Sequence, residues 1–152
     1  MDRTAIEELV YKSCIMLDEQ KYQDYLGLCD EEFRYTITTH SPEIRKDMVW
    51  LDHDKKGLQT LLTQLPRHNS DRSPLTRHAT VYTVTMDESG KAAEVVTSLQ
   101  VYKTELDGGV TQLFAVGKYI DRVSLADGAP KLTKRTVKLD TRMLGIGYHV
   151  PF

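Results

Sequence analysis

The chain has 152 residues, the size of one ordinary domain, and its 40% hydrophobic share is enough for a single core while 28% charged residues suit a wet surface. No apolar run approaches the roughly 20 residues needed to cross a bilayer, and the opening MDRTAIEEL is acidic and helical in pattern rather than signal-like. A formal net charge of −2 with scattered Lys and Arg argues against nucleic acid, whose phosphates demand concentrated cations, so a cytoplasmic protein without nucleic-acid or membrane partners is expected.

In chain order, TAIEELVYKSCIMLDEQ predicts a first helix. Thr4 and Glu7 are spaced as a capping box, and Ile6, Leu9, Val10, Cys14 and Leu17 fall on one face. KYQDYLGLC predicts a short second helix. EEFRYTITT then changes to a period of two, with Phe33, Tyr35 and Ile37 on one side, which predicts a strand. Ser41-Pro42 ends it and KDMVWL predicts a second strand. In DKKGLQTLLTQL the leucines 58, 61, 62 and 65 predict a third helix, with Asp54 available as its cap and Pro66 expected to stop it.

Four strand-like runs follow, near 76–87, 92–105, 110–124 and 131–143, separated by the turn sequences DESG, LDGG and ADGAP. Helices segregated from a run of antiparallel strands give an α+β class, about three N-terminal helices against a curved, mostly antiparallel sheet of about six strands. No repeat or linker divides residues 1–152, so one domain is expected, with 144–152 an apolar tail.

Two features point to companions. Along 110–124, Val110, Phe114, Val116 and Ile120 would share one face and Leu113, Ala115, Tyr119 and Val123 the other, so both faces carry apolar residues. The ending LGIGYHVPF either folds back on its own sheet or docks on a neighbour. Trp50, Tyr148, Val150 and Phe152 are the expected contact anchors, because aromatic groups concentrate at desolvated interface centres. The cations of KLTKRTVK are expected on a solvated or subunit-facing surface.

Candidate chemistry is sparse. The histidines are His40, His53, His68, His78 and His149, and the segments around His53 and His68 lack the paired spacing of a metal site. Cys14 and Cys29 are read as reduced core thiols; neither heads the Cys-x-His or Cys-x-x-His pair that a Rieske cluster requires. No nucleophile elbow or phosphate loop occurs. The remaining enzymatic reading places Asp18, Tyr35 and His78 around a pocket inside the cone as an acid–base set for dehydration or isomerisation. Against it stands the reading of His78 as a polar scaffold residue and Tyr35 as a strand aromatic.

The helix–helix–strand–strand–helix–meander order resembles the cone-shaped nuclear-transport-factor-2-like superfamily, which includes SnoaL-like dehydratases and isomerases. Within it, three phrases resemble the small (β) subunit of Rieske-type ring-hydroxylating oxygenases. They are ELVYKSCIMLDEQKYQDYLGLCDEEFRYTI, then RHATVYTV as the Arg-His start of a central strand, and the ending RTVKLDTRMLGIGYHVPF. That resemblance implies a structural, non-catalytic subunit, self-associating as a trimer within an α3β3 hetero-hexamer. It implies no cofactor in this chain, with the Rieske 2Fe–2S cluster and mononuclear Fe(II) in a larger catalytic α subunit. The rivals are a stand-alone SnoaL-like dehydratase or isomerase using Asp18, Tyr35 and His78, and a homodimeric binding module.

Overall fold

A computed structural model describes residues 3–68, 72–142 and 151–152. Its elements run α1 (Arg3–Asp18), α2 (Tyr22–Gly27), β1 (Cys29–Ser41), β2 (Lys46–Asp54), α3 (Lys55–His68), β3 (Leu75–Met86), β4 (Ala92–Thr104), β5 (Thr111–Ser124) and β6 (Lys131–Leu139). The six strands form one sheet in the order β2-β1-β6-β5-β4-β3. Every neighbouring pair is antiparallel except β1 with β6, which run parallel. The expected α+β cone is borne out.

Helix α1 buries Ile6, Leu9, Val10, Ser13, Cys14 and Leu17, the stripe its spacing predicts. It begins at Arg3, so Thr4 lies inside the first turn rather than at the cap, and Glu7 receives the Arg3 guanidinium at 2.7 Å. Its end is a Schellman turn. Lys21 N–H donates to Met16 O at 2.8 Å and Gln20 N–H to Leu17 O at 3.1 Å, with Gln20 at φ 58° where glycine is usual. Asp54 caps α3 as expected, accepting the Gly57 N–H at 2.8 Å. Pro66 does not stop that helix, which runs on to His68. A proline removes a single N–H from the ladder, and so close to a helix end the loss is tolerable.

Helix α1 lies on β3 while α3 lies on β1 and β2, leaving a concave face of buried side chains from all the inner strands. Phe33, Tyr35 and Ile37 come from β1, Arg135, Val137 and Leu139 from β6, Ala115, Tyr119, Asp121 and Val123 from β5, and Val95, Thr97, Leu99 and Val101 from β4. Gly117 permits a close approach of β5 to β6, since a Cβ there would meet the Lys138 carbonyl and stand 2.9 Å from Leu139 Cα.

Bulges reassign several side chains. Val101 pairs with Ala115 but Tyr102 with Leu113, so Phe114 is an extra residue on β5. It turns inward while Leu113 is 54% exposed, the reverse of the faces expected from strict alternation. A shift between Ile37 and Thr38 likewise makes Trp50 the extra residue on β2, where it packs half-buried against the core. RHATVYTV, expected in a central strand, forms β3 at the sheet edge. That edge is covered by α1, because Asp18 accepts the Arg77 N–H at 3.1 Å and the Tyr11 hydroxyl accepts the Val81 N–H at 3.1 Å.

Candidate functional site: the interior of the cone

Asp121 and Arg135 face each other across β5 and β6, and both side chains are fully buried. Nε donates to Oδ1 and Nη2 to Oδ2, each at 2.9 Å, so the pair is bidentate. The guanidinium carbon lies 3.8 Å from the centroid of the Tyr119 ring, a cation–π contact shielded from water. Burial works against the Arg135 charge, but Asp121, Tyr25 and Tyr119 around it hold its pKa well above the usual value. Arg135 overturns the expectation that the cations of KLTKRTVK are surface groups. It shares the inward parity of Val137 and Leu139, whereas Lys134 and Lys138 point outward. Burial raises the hydroxyl pKa of Tyr25, Tyr35 and Tyr119.

Near the helix side, Arg77 donates through Nη1 to Asp18 at 2.8 Å and through Nη2 to the Pro151 carbonyl at 2.8 Å. The Tyr35 hydroxyl accepts the Phe152 N–H at 2.7 Å and donates to Phe152 O at 3.4 Å. The Phe152 ring sits 6.0 Å from that of Phe114. Phe152 is 1% exposed, so the aromatic expected as a contact anchor lies inside its own chain, and residues 151–152 fold back rather than project. Tyr148 and Val150 lie outside the described residues.

The three residues of the acid–base reading do not converge. Asp18 and His78 border one open cleft of about 410 Å³ between α1 and β3, together with Tyr11, Cys14, Thr80 and Ser98. Asp18 is engaged by Arg77, and the His78 ring is exposed on the outer face against Tyr102, centroids 5.1 Å apart. Tyr35 lies on the opposite, concave face, fully buried. No hydrogen bond links His78 to Asp18 or to Tyr35 among the described residues. Parity explains the split, since Arg77 and Ala79 point in and His78 points out.

A Rieske cluster or iron does not fit these residues. No group of three or more His, Cys, Asp or Glu side chains could hold a metal ion among the described residues. Burial raises the Cys14 thiol and pushes Cys29 up to about 12, the reverse of what a ligating or nucleophilic thiolate needs.

The architecture is that of the nuclear-transport-factor-2-like cone. It superposes on the crystal structure described as the beta subunit of an aromatic-ring-hydroxylating dioxygenase from Novosphingobium aromaticivorans, with a TM-score of 0.81 and 22% identity, over 93% of this chain and 90% of that one. Residues 13–145 match the ring hydroxylating beta subunit family, and the chain belongs to it. It is 40% identical to the beta subunit of methanesulfonate monooxygenase hydroxylase from Methylosulfonomonas methylovora, over 97% of this chain and 85% of that one. It is 36% identical to the beta subunit of 2-aminobenzenesulfonate 2,3-dioxygenase from an Alcaligenes species, over 99% of both.

Proposed function

We propose that this chain is the structural subunit of a hydroxylase, holding a larger catalytic α subunit that carries the Rieske cluster and mononuclear iron. The observation that carries the reading is the family match across residues 13–145. The interior supports it, because the cone is filled by an ion pair and by Phe152 while His78 lies outside. No helix among the described residues is long and apolar enough to cross a membrane, which suits the cytoplasmic setting we assign. The assembly we infer is an α3β3 hexamer built on a trimer of this chain.

Two surfaces suit such contacts. On the outer face of the sheet, half-buried Val96, Val116 and Ile120 are interleaved with exposed Lys118, Arg122, Lys134 and Lys138. Beside the β2 edge, Ile44 and Val49 are each 60% exposed next to half-buried Trp50, which we keep as a contact residue. Both curated relatives act on sulfonates by name, and a sulfonated small molecule is the substrate class we assign to the complex. Co-expression with a neighbouring large subunit tests the reading. A stable complex should form that contains an iron-bearing polypeptide and consumes oxygen with methanesulfonate or 2-aminobenzenesulfonate. Turnover of a dehydration or isomerisation substrate by the purified chain alone, abolished by His78→Ala, would overturn it.

A further inference from the structure

On their outer face, β5 and β6 set like charges against each other. Lys118 stands directly across from Lys138, and Arg122 directly across from Lys134. Between the two pairs lie Ile120 and Thr136, also directly opposed, with Val96 of β4 beside Ile120. Four exposed cations thus frame a half-buried, largely apolar centre. Side chains opposed in this way start about 5 Å apart, and like charges there destabilise a sheet. The surroundings do little to relieve them. Arg122 reaches Asp87 at 3.5 Å and has Glu94 opposite it on β4, whereas Lys118, Lys134 and Lys138 make no ion pair among the described residues.

A cleft of about 330 Å³ opens at the first pair, lined by Lys118, Lys138, Thr38, His40 and Ile120. Asp47 and Asp140 border the same cleft, but Asp47 is engaged by the His40 ring at 3.1 Å. Two ammonium groups and the Thr38 hydroxyl beside an aliphatic side chain suit a carboxylate whose own neighbours are apolar. A carboxylate between the lysines turns their repulsion into two attractions. A second copy of this chain is a poor source of it. Set face to face, it brings the same lysines, and its Glu7, Glu19, Glu31, Glu43 and Asp52 are each already engaged by a cation of their own chain.

We propose that this cation-framed face is where the larger subunit docks, and that an acidic side chain of that subunit, flanked by apolar residues, enters the cleft between Lys118 and Lys138. The proposal rests on the hydroxylase reading, because the partner is the hydroxylase's catalytic chain. Repulsion within the free chain is exchanged for pairing in the complex.

Lys118→Gln and Lys138→Glu, made singly in the full chain, test it. Each is co-expressed with the larger subunit, and dissociation of the purified complex on dilution is followed by analytical ultracentrifugation. Each should weaken the complex about tenfold or more, and the parent complex should loosen as salt is raised. The free chain should respond in the opposite sense. Its Tm should equal or exceed the parent's in both variants, because losing one lysine relieves the other. Lys12→Gln, on the exposed side of α1, should change neither reading. A parent complex that forms and is matched by both variants overturns the proposal while the hydroxylase reading stands. Loss of self-association with unchanged affinity for the larger subunit overturns it too, and makes a second copy the occupant. A lower Tm in both variants makes the lysines ordinary supports of the fold and also overturns it. Failure of the parent chain to form any such complex overturns both readings together.

Discussion

Replacing Asp121 by Asn isolates what the buried ion pair does. The carboxylate lies in a site with no access to water, and its two oxygens take two guanidinium N–H groups of Arg135 at 2.9 Å. The amide keeps the shape but removes the charge and turns one acceptor into a donor aimed at Arg135. An uncompensated guanidinium is left where burial is complete. Breaking a buried pair in this way costs about 3–5 kcal/mol. For a chain of this size each kcal/mol shifts Tm by roughly 2–4 °C, so a fall of about 6–20 °C is expected. Urea unfolding followed by circular dichroism and by the single Trp50 would read the same loss, with the assembly state and protein concentration held fixed. The informative control is the double change Asp121→Leu with Arg135→Met, which removes both charges at similar volume and should lose far less than the two single changes summed. A single change costing under about 1 kcal/mol, or a double change equal to the sum, would refute the claim that charge compensation governs this site.

Gly117→Ala should cost about 1–3 kcal/mol by chemical denaturation, because the new methyl meets β6 backbone that cannot rotate away. Gln20→Gly should raise stability by about 0.5–1 kcal/mol, since Gln20 holds a left-handed conformation at the end of α1. His78→Ala should stay within about 0.5 kcal/mol of the parent and leave oxygen consumption by the assembled complex unchanged. Cys14 and Cys29 should resist a thiol reagent at pH 8 until denaturant is added. The folded thiols titrate above their unfolded value, so the native state holds more protons than the unfolded one above about pH 9. Stability should therefore be intact below that pH and fall as pH rises toward 12, the window set by Cys29.

Much of the fold was legible because burial enforces periodicity. The α1 stripe, the alternation of Phe33, Tyr35 and Ile37, and the Asp54 cap each follow from local geometry. Register was not legible, because a bulge costs one residue and leaves no distinctive composition. Phe114, Leu113 and Trp50 therefore took faces that strict alternation misplaces. The site failed in the same way. Asp18, Tyr35 and His78 have residue types that suggest proton transfer, but parity puts Tyr35 inside and His78 outside. The buried pair carried a signal that composition hides. Asp121 shares its parity with Tyr119 and Val123, and Arg135 with Val137 and Leu139, so each is a charge on an otherwise apolar face. Phe152 could not be placed from sequence, since nothing local distinguishes an end that tucks inward from one that docks.

Strand β6 is the keystone between two half-sheets, one made by residues 29–54 and the other by residues 75–124. Until residues 131–139 emerge during synthesis, the β1–β2 hairpin has no neighbour on its inner side and the meander has an open margin. Closing that gap joins segments about a hundred positions apart, an entropic demand that slows folding and exposes unpaired edges meanwhile. A ribosome must therefore have released β6 before the cone can close, and a message truncated upstream of β6 would yield two fragments of sheet with nothing to unite them.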